Sequence, residues 1–278
     1  MGKMKILVIG ASGLLAGPVI RKLDEKGFEL RLFSRTVNPS MFINDYDIIR
    51  GDLFNPDDLE RVMSGCDGVH ISISTTDDVR AVALITEMAK KKGVKLISLI
   101  SGCTVSESNR WFKFIDDKLK TEKMIIESGI PWFIFRPTWF FESLGMFVRN
   151  GKASVPGHQT ALYHWVAAED LGRMVANAYN TKGSENSICY VYGPEKYGMK
   201  ELIEKYCKRL YPEIKTVSET PIFFLRLFSF ITGNRNLKFA ASLFSYFEKV
   251  REPEIAEADL ARLGKPEIDF NTWINSKC

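Results

Sequence analysis

Apolar residues along this chain fall into short blocks separated by stretches of helical period. The block in "MGKMKILVIGASGLLAGPVI" leads into Val19, Ile20 and Leu23 at helical spacing, and Gly27 marks the end of that helix. "FELRLFSR" and "DIIRGDL" then read as strands, "PDDLERVMSG" as a helix and "GVHISIS" as a strand. "DDVRAVALITEMAKKKG" predicts a helix before the strand "VKLISLIS", and "KFIDDKLKTEKMIIESG" another before "IPWFIFRP". Short apolar strands alternating with amphipathic helices build a parallel sheet covered on both faces. The fold class expected is α/β, a doubly wound parallel sheet.

The opening apolar block also suits a secretory leader, but a leader ends at a small-residue cleavage site. Here the helical spacing continues through Pro18 and beyond, so the block is read as the first strand of the series. Gly10 and Gly13, with Ala16 three residues on, then fall where that strand turns into a helix. Glycine permits the tight turn and lets backbone approach a pyrophosphate, while the helix N-terminus presents free N–H groups and a positive dipole end. Pro18 removes one donor and is tolerated only near the helix start.

The end of the second strand bears on which dinucleotide would bind. NAD sites place an acid there for the ribose 2′-hydroxyl, whereas this chain has Ser34-Arg35-Thr36. No carboxylate repels a 2′-phosphate, and Arg35 offers a planar fork of donors to it. NADP is therefore the expected cofactor, with NAD the alternative.

Composition narrows the class without changing this picture. The chain has 278 residues, 45% hydrophobic and 26% charged, with net charge +4 and acids and bases interspersed. No basic stripe points to nucleic acid. The five cysteines, Cys66, Cys103, Cys189, Cys207 and Cys278, lack close pairing, which fits reduced thiols in a cytoplasmic protein. No apolar run reaches transmembrane length, and the nearest, "PIFFLRLFSFITG", is interrupted by Arg226.

Several stretches in order resemble the atypical short-chain dehydrogenase/reductase group, in particular its NmrA-like, NAD(P)H-binding branch. They are "VIGASGLLAGPVI", "FSR", "GDLFNPDDL", "SLISG", "KLKTEKMIIESGIPWFIFRPTWFFE", "HWVAAEDLGRMVANA", "YVYGPE" and "LGKPEIDFNTWI". The resemblance implies a Rossmann domain over 1–193 and a small, mainly helical C-terminal substrate domain over 194–278, with contributions from 140–165. It implies that Gly10, Ser12, Gly13, Leu14 and Leu15 line the pyrophosphate, and that Ser34 and Arg35 meet the ribose phosphate. Asp52 and Leu53 would meet the adenine, and Ser72, Ile73 and Ser74 the cofactor ribose. Asp52 is equally suited to cap the helix near Pro56, and Leu53 to plain core.

Many members of that group use Tyr-x-x-x-Lys on one helix, the lysine holding the nicotinamide ribose and the phenol exchanging a proton. This chain has Phe114 and Lys118 at that spacing, and Ser101 where the family's catalytic serine stands. Phenylalanine transfers no proton. Three outcomes fit: Lys118 acts as acid/base and cofactor ligand, a substrate-domain residue such as Tyr163 or His164 supplies the proton, or the protein senses cofactor without turnover. Lys120 falls on another helix face, and His70 and His158 gather no partners in the sequence.

After "YVYGPEKYG" the alternation loosens into an aromatic stretch from Phe223 to Ile231, followed by Phe239, Leu243, Phe244, Tyr246 and Phe247. Small-domain core, a substrate cover, a homodimer surface and a membrane-surface patch all suit it. The leading expectation is an NADP-dependent oxidoreductase for a small apolar or aromatic carbonyl or alkene. A cofactor-sensing regulator and a nucleotide-sugar epimerase-like enzyme are the alternatives, the last lacking an arginine array for a diphosphate.

Overall fold

Strand β1 (Lys5–Ile9) is buried from Ile6 onward and leads into α1 (Ala16–Glu25), whose Ala16, Val19, Ile20 and Leu23 are buried. The computed structural model describes residues 3–73, 77–256 and 262–277. β2 (Glu29–Ser34) and β3 (Asp47–Arg50) follow, then α2 (Pro56–Met63), whose first turn is set by Pro56 and by the Asn55 side chain accepting from Asp57 N. β4 (Gly68–Ile71), α3 (Asp78–Lys92), β5 (Leu96–Ile100), α4 (Lys113–Ile126) and β6 (Trp132–Pro137) complete the alternation. The Asp77 side chain caps the start of α3, and Gly93, at φ +68°, closes its end.

Past β6 the chain forms a 3₁₀ segment at Phe141–Phe147 and the short strands β7 (Val148–Arg149), β8 (Lys152–Pro156) and β9 (Leu162–His164). Helix α5 (Ala168–Asn180) and strand β10 (Ser187–Val191) come next. β11 (Lys196–Gly198), α6 (Met199–Leu210), β12 (Val217–Thr220), α7 (Ile222–Thr232), α8 (Arg235–Phe247) and α9 (Phe270–Asn275) follow.

Two compact units result. The first comprises Met1–Pro137, Ala168–Val191 and Ile255–Pro266. Its seven-stranded sheet has the order β3-β2-β1-β4-β5-β6-β10, with every neighbouring pair parallel. Strand order reverses between β1 and β4, and in open sheets of this kind ligands bind beside the carboxyl ends at that point. Leu7, Ile9, Val69, Ile71, Ile97 and Leu99 share one core with α2, α3 and α4. The alternate residues face the other way, where Ser98 meets Tyr179 of α5. Helices α1 and α5 pack together on that side, and Gly172 makes this possible: a β-carbon there would stand 2.7 Å from the Pro18 carbonyl oxygen.

The second unit comprises Thr138–Ala167, Tyr192–Glu254 and Glu267–Cys278. It holds a β12-β8-β7 sheet and a β11-β9 pair. Its core gathers Phe141, Trp165, Tyr197, Leu202, Phe244 and Trp273 with their neighbours. The two phases of the late aromatic stretch part company here. Phe244 and Tyr246 are buried, whereas Phe223, Phe224, Phe228, Phe230 and Ile231 are exposed, so of α7 only Ile222 and Leu225 join the core.

Candidate cofactor cleft

Gly10 is placed by three backbone bonds. Gly10 N and Ala11 N both donate to the Phe33 carbonyl, at 2.9 and 3.2 Å, and Ser72 N donates to the Ile9 carbonyl at 3.0 Å. These pull the first turn against the ends of β2 and β4. Gly10 has φ +87°, and a β-carbon on it would lie 2.0 Å from the Ser72 carbonyl oxygen, so only glycine allows this approach. Gly13 N then donates to the Gly10 carbonyl at 2.9 Å, and Ala16 N to the Gly13 carbonyl at 3.1 Å, which starts α1.

A cleft of about 230 Å³ opens over this turn, lined by Gly10, Ser12, Gly13, Phe33, Ser34, Arg35, Thr36, Gly51, Leu53, Ser72 and Ile73, with Ile9 at its floor. No lining residue is acidic. Ser12 Oγ lies 2.9 Å from Ser34 Oγ and 2.8 Å from Thr36 Oγ1. Ser34 Oγ also accepts from Val37 N at 2.9 Å. Arg35 is exposed at the cleft and makes no ion pair among the described residues. The first turn of α1 carries no acid, and no side chain caps it at Leu15. Uncapped N–H groups, a glycine that brings backbone to the cleft and an unpaired guanidinium together fit a dinucleotide phosphate.

Not every expected residue reaches this wall. Leu14 is 57% exposed, and neither it nor Leu15 lines the cleft. Asp52 is also absent from the wall, because its carboxylate accepts from Phe54 N at 3.0 Å in a local turn. Nor does Asp52 cap α2, a role taken by Asn55. Leu53 lines the cleft and packs on the core at once. Ser74 lies outside the described residues. Thr36, Phe33 and Gly51 join the wall because the strand register Ser34↔Arg50 sets the ends of β2 and β3 side by side.

Lys118 is buried, as is Asp78, the first residue of α3, and Lys118 Nζ lies 3.3 Å from Asp78 Oδ2. The ammonium is also 3.5 Å from the carbonyl of Ile73, a cleft residue, and 5.6 Å from the centre of the Phe114 ring. Asp78 is a partner that sequence spacing could not show. Lys120, in contrast, is half exposed and pairs with Asp116 at 2.5 Å.

Ser101 is engaged by a partner on the same helix as Lys118. Its hydroxyl donates to Glu122 Oε1 at 2.5 Å, and Glu122 is bound by Arg136 through Nη2–Oε2 at 2.5 Å and Nε–Oε1 at 3.0 Å. Arg136 Nη1 also reaches the Tyr190 hydroxyl at 3.0 Å. Burial opposes the Arg136 charge, but its bonds to Glu122 outweigh burial and raise its pKa.

The histidines acquire partners that the sequence left unseen. His70 is fully buried, and its Nδ1 lies 2.7 Å from Ser98 Oγ, its register neighbour on β5, which in turn meets Tyr179 Oη at 2.9 Å. Burial lowers the His70 pKa to about 3. His158 pairs with Glu219 at 2.9 Å on the surface. In the second unit His164 Nδ1 lies 3.0 Å from Glu252 Oε2, whose carboxylate also takes the Thr138 hydroxyl, and the His164 ring stacks on Tyr192 at 4.8 Å. Tyr163 is fully buried with its hydroxyl on the Phe247 carbonyl.

Fold and cleft define the class, a Rossmann-like nucleotide-binding protein. The chain belongs to the NAD(P)H-binding family, whose model matches residues 10–181. It is 27% identical over 248 residues to the photosystem II assembly factor Ycf39 of Cyanophora paradoxa, covering 81% of this chain and 74% of that one. Among solved structures it resembles Citrobacter sp. triphenylmethane reductase complexed with NADP(H), with a TM-score of 0.80, 18% identity, and coverage of 99% and 100% of the two chains. The NADPH complex of the Escherichia coli quinone oxidoreductase QOR2 gives a TM-score of 0.76 at 17% identity, covering 98% of this chain and 99% of that chain.

Proposed function

We propose that this protein is an NADPH-dependent reductase of a small apolar carbonyl or alkene. The observation that carries the reading is the acid-free cleft at the sheet's switch point, with Arg35 unpaired at its rim. The Gly10–Gly13 turn and the α1 N-terminus hold the pyrophosphate, and Arg35 with the Ser34 and Thr36 hydroxyls holds the 2′-phosphate. When bound, NADPH supplies the hydride. Lys118, steadied by Asp78 and by the Ile73 carbonyl, holds the nicotinamide ribose and keeps a transferable proton at Nζ. Phe114, in the place of the usual phenol, contributes an apolar wall and no proton.

A second reading, a cofactor sensor, is favoured by the missing phenol at Phe114 and by the engagement of the Ser101 hydroxyl with Glu122. NADPH consumption separates the two. Steady oxidation of NADPH with a member of a panel of aldehydes, enones and quinones is expected for the reductase. Saturable NADPH binding with no acceptor-dependent oxidation across the panel would give the assignment to the sensor.

A further inference from the structure

Helix α7 is apolar on its exposed side as well as on its buried one. The residues it buries are Ile222 and Ser229, with Leu225 partly buried, while Phe223, Phe224, Leu227, Phe228, Phe230 and Ile231 are exposed, Phe230 by 87% and Ile231 by 67%. A water-facing helix carries polar residues on its exposed side. Its hydroxyls turn inward to its own backbone: Ser229 Oγ donates to the Arg226 carbonyl at 2.8 Å and Thr232 Oγ1 to the Phe228 carbonyl at 2.6 Å. Ser242 Oγ of α8 donates likewise to the Lys238 carbonyl at 3.0 Å. Such back-bonding satisfies polar groups without water.

Charge adds the second constraint. From residue 222 to residue 247 the hairpin of α7 and α8 carries Arg226, Arg235 and Lys238 and no acid. The flanking acids are engaged elsewhere, Glu248 with the His158 amide and Glu219 with His158 and Lys200. At a rise of 1.5 Å per residue the two helices span about 17 and 20 Å, short of the roughly 30 Å hydrocarbon core, so the hairpin has the length to lie in one leaflet's interface. No helix among the described residues is long and apolar enough to cross a membrane.

We propose that the α7–α8 hairpin docks this protein on an anionic lipid surface, the phenylalanines entering the acyl boundary and the three cations meeting the headgroups. The test is co-sedimentation of the full chain with vesicles of phosphatidylcholine alone or mixed with phosphatidylglycerol. Partitioning to the mixed vesicles is expected, weakened by salt and by removal of phosphatidylglycerol. Phe230→Ser/Ile231→Ser, at solvent-exposed positions, should lower the partition coefficient by about tenfold. Arg235→Glu/Lys238→Glu should remove the preference for the anionic vesicles. Failure of the unmodified chain to partition at any lipid concentration would overturn the proposal, as would equal partitioning to both vesicles. So would a dimer in light scattering that Phe230→Ser/Ile231→Ser dissolves, because a second copy would then cover this face.

Discussion

At Lys118 a buried ion pair and the proposed chemistry meet in a single side chain. Its side chain is 8% exposed and that of its partner Asp78 7% exposed, so loss of either leaves the other charge buried. Removing one member of such a pair costs about 3–5 kcal/mol, whereas replacing both can be nearly neutral. Lys118→Met should therefore destabilise the chain in urea unfolding and abolish most acceptor-dependent NADPH oxidation. Adding Asp78→Asn should restore much of the stability and none of the turnover. Turnover that returns with stability would make Lys118 a structural residue. The sequence made Lys118 visible through its spacing from Phe114, but not Asp78, because the pair joins two helices 40 residues apart. The turn at Gly10 and Gly13 and the Ser34-Arg35 pair at the cleft could be read, since glycine spacing and a missing acid are local signals, whereas Ser12 was indicated only by the family resemblance. Leu14, Leu15 and Asp52 could not be placed by position alone. A loop's direction decides whether its side chains face the cleft, and Asp52 is turned away by its own bond to Phe54 N.

Among elements, the order of strands and helices through β6 was legible, with ends read a few residues too long at β3, β4 and α4, because each of these strands is an apolar block and each of these helices has one apolar stripe. Contacts between elements were not. The Arg21 and Lys22 pairing with Glu169 joins α1 to α5, and Gly172 lets the two helices close. Composition alone left helix α7 open between core and surface, because phenylalanine is ordinarily buried and its spacing there marks no single face. The chain of His70, Ser98 and Tyr179 ties β4, β5 and α5, and it has a measurable consequence. Burial keeps His70 neutral in the folded state down to about pH 3, against the ordinary histidine value of 6.5. The unfolded chain therefore takes up the proton first, and stability present above the ordinary histidine value is lost as pH falls towards the folded one. Between about pH 7 and about pH 5 this group alone should remove about 2 kcal/mol. His70→Leu should reduce the pH dependence of the unfolding free energy by about that amount. An unchanged slope in the variant would show that His70 is not the titrating group.

At the scale of the whole molecule, a seven-stranded parallel sheet brings four strand ends, those of β1, β2, β3 and β4, to one cleft at the reversal of strand order. Everything proposed for the first unit depends on that cleft holding NADPH through its 2′-phosphate. Calorimetric titration of NADPH and NADH against the intact protein and Arg35→Ala tests this directly. A charge-assisted contact is worth about 1.5–3 kcal/mol, so NADPH should bind tighter than NADH and lose about tenfold to a hundredfold in affinity in Arg35→Ala. NADH affinity should scarcely change. Equal losses for the two cofactors, or tighter binding of NADH by the unmodified protein, would contradict the account.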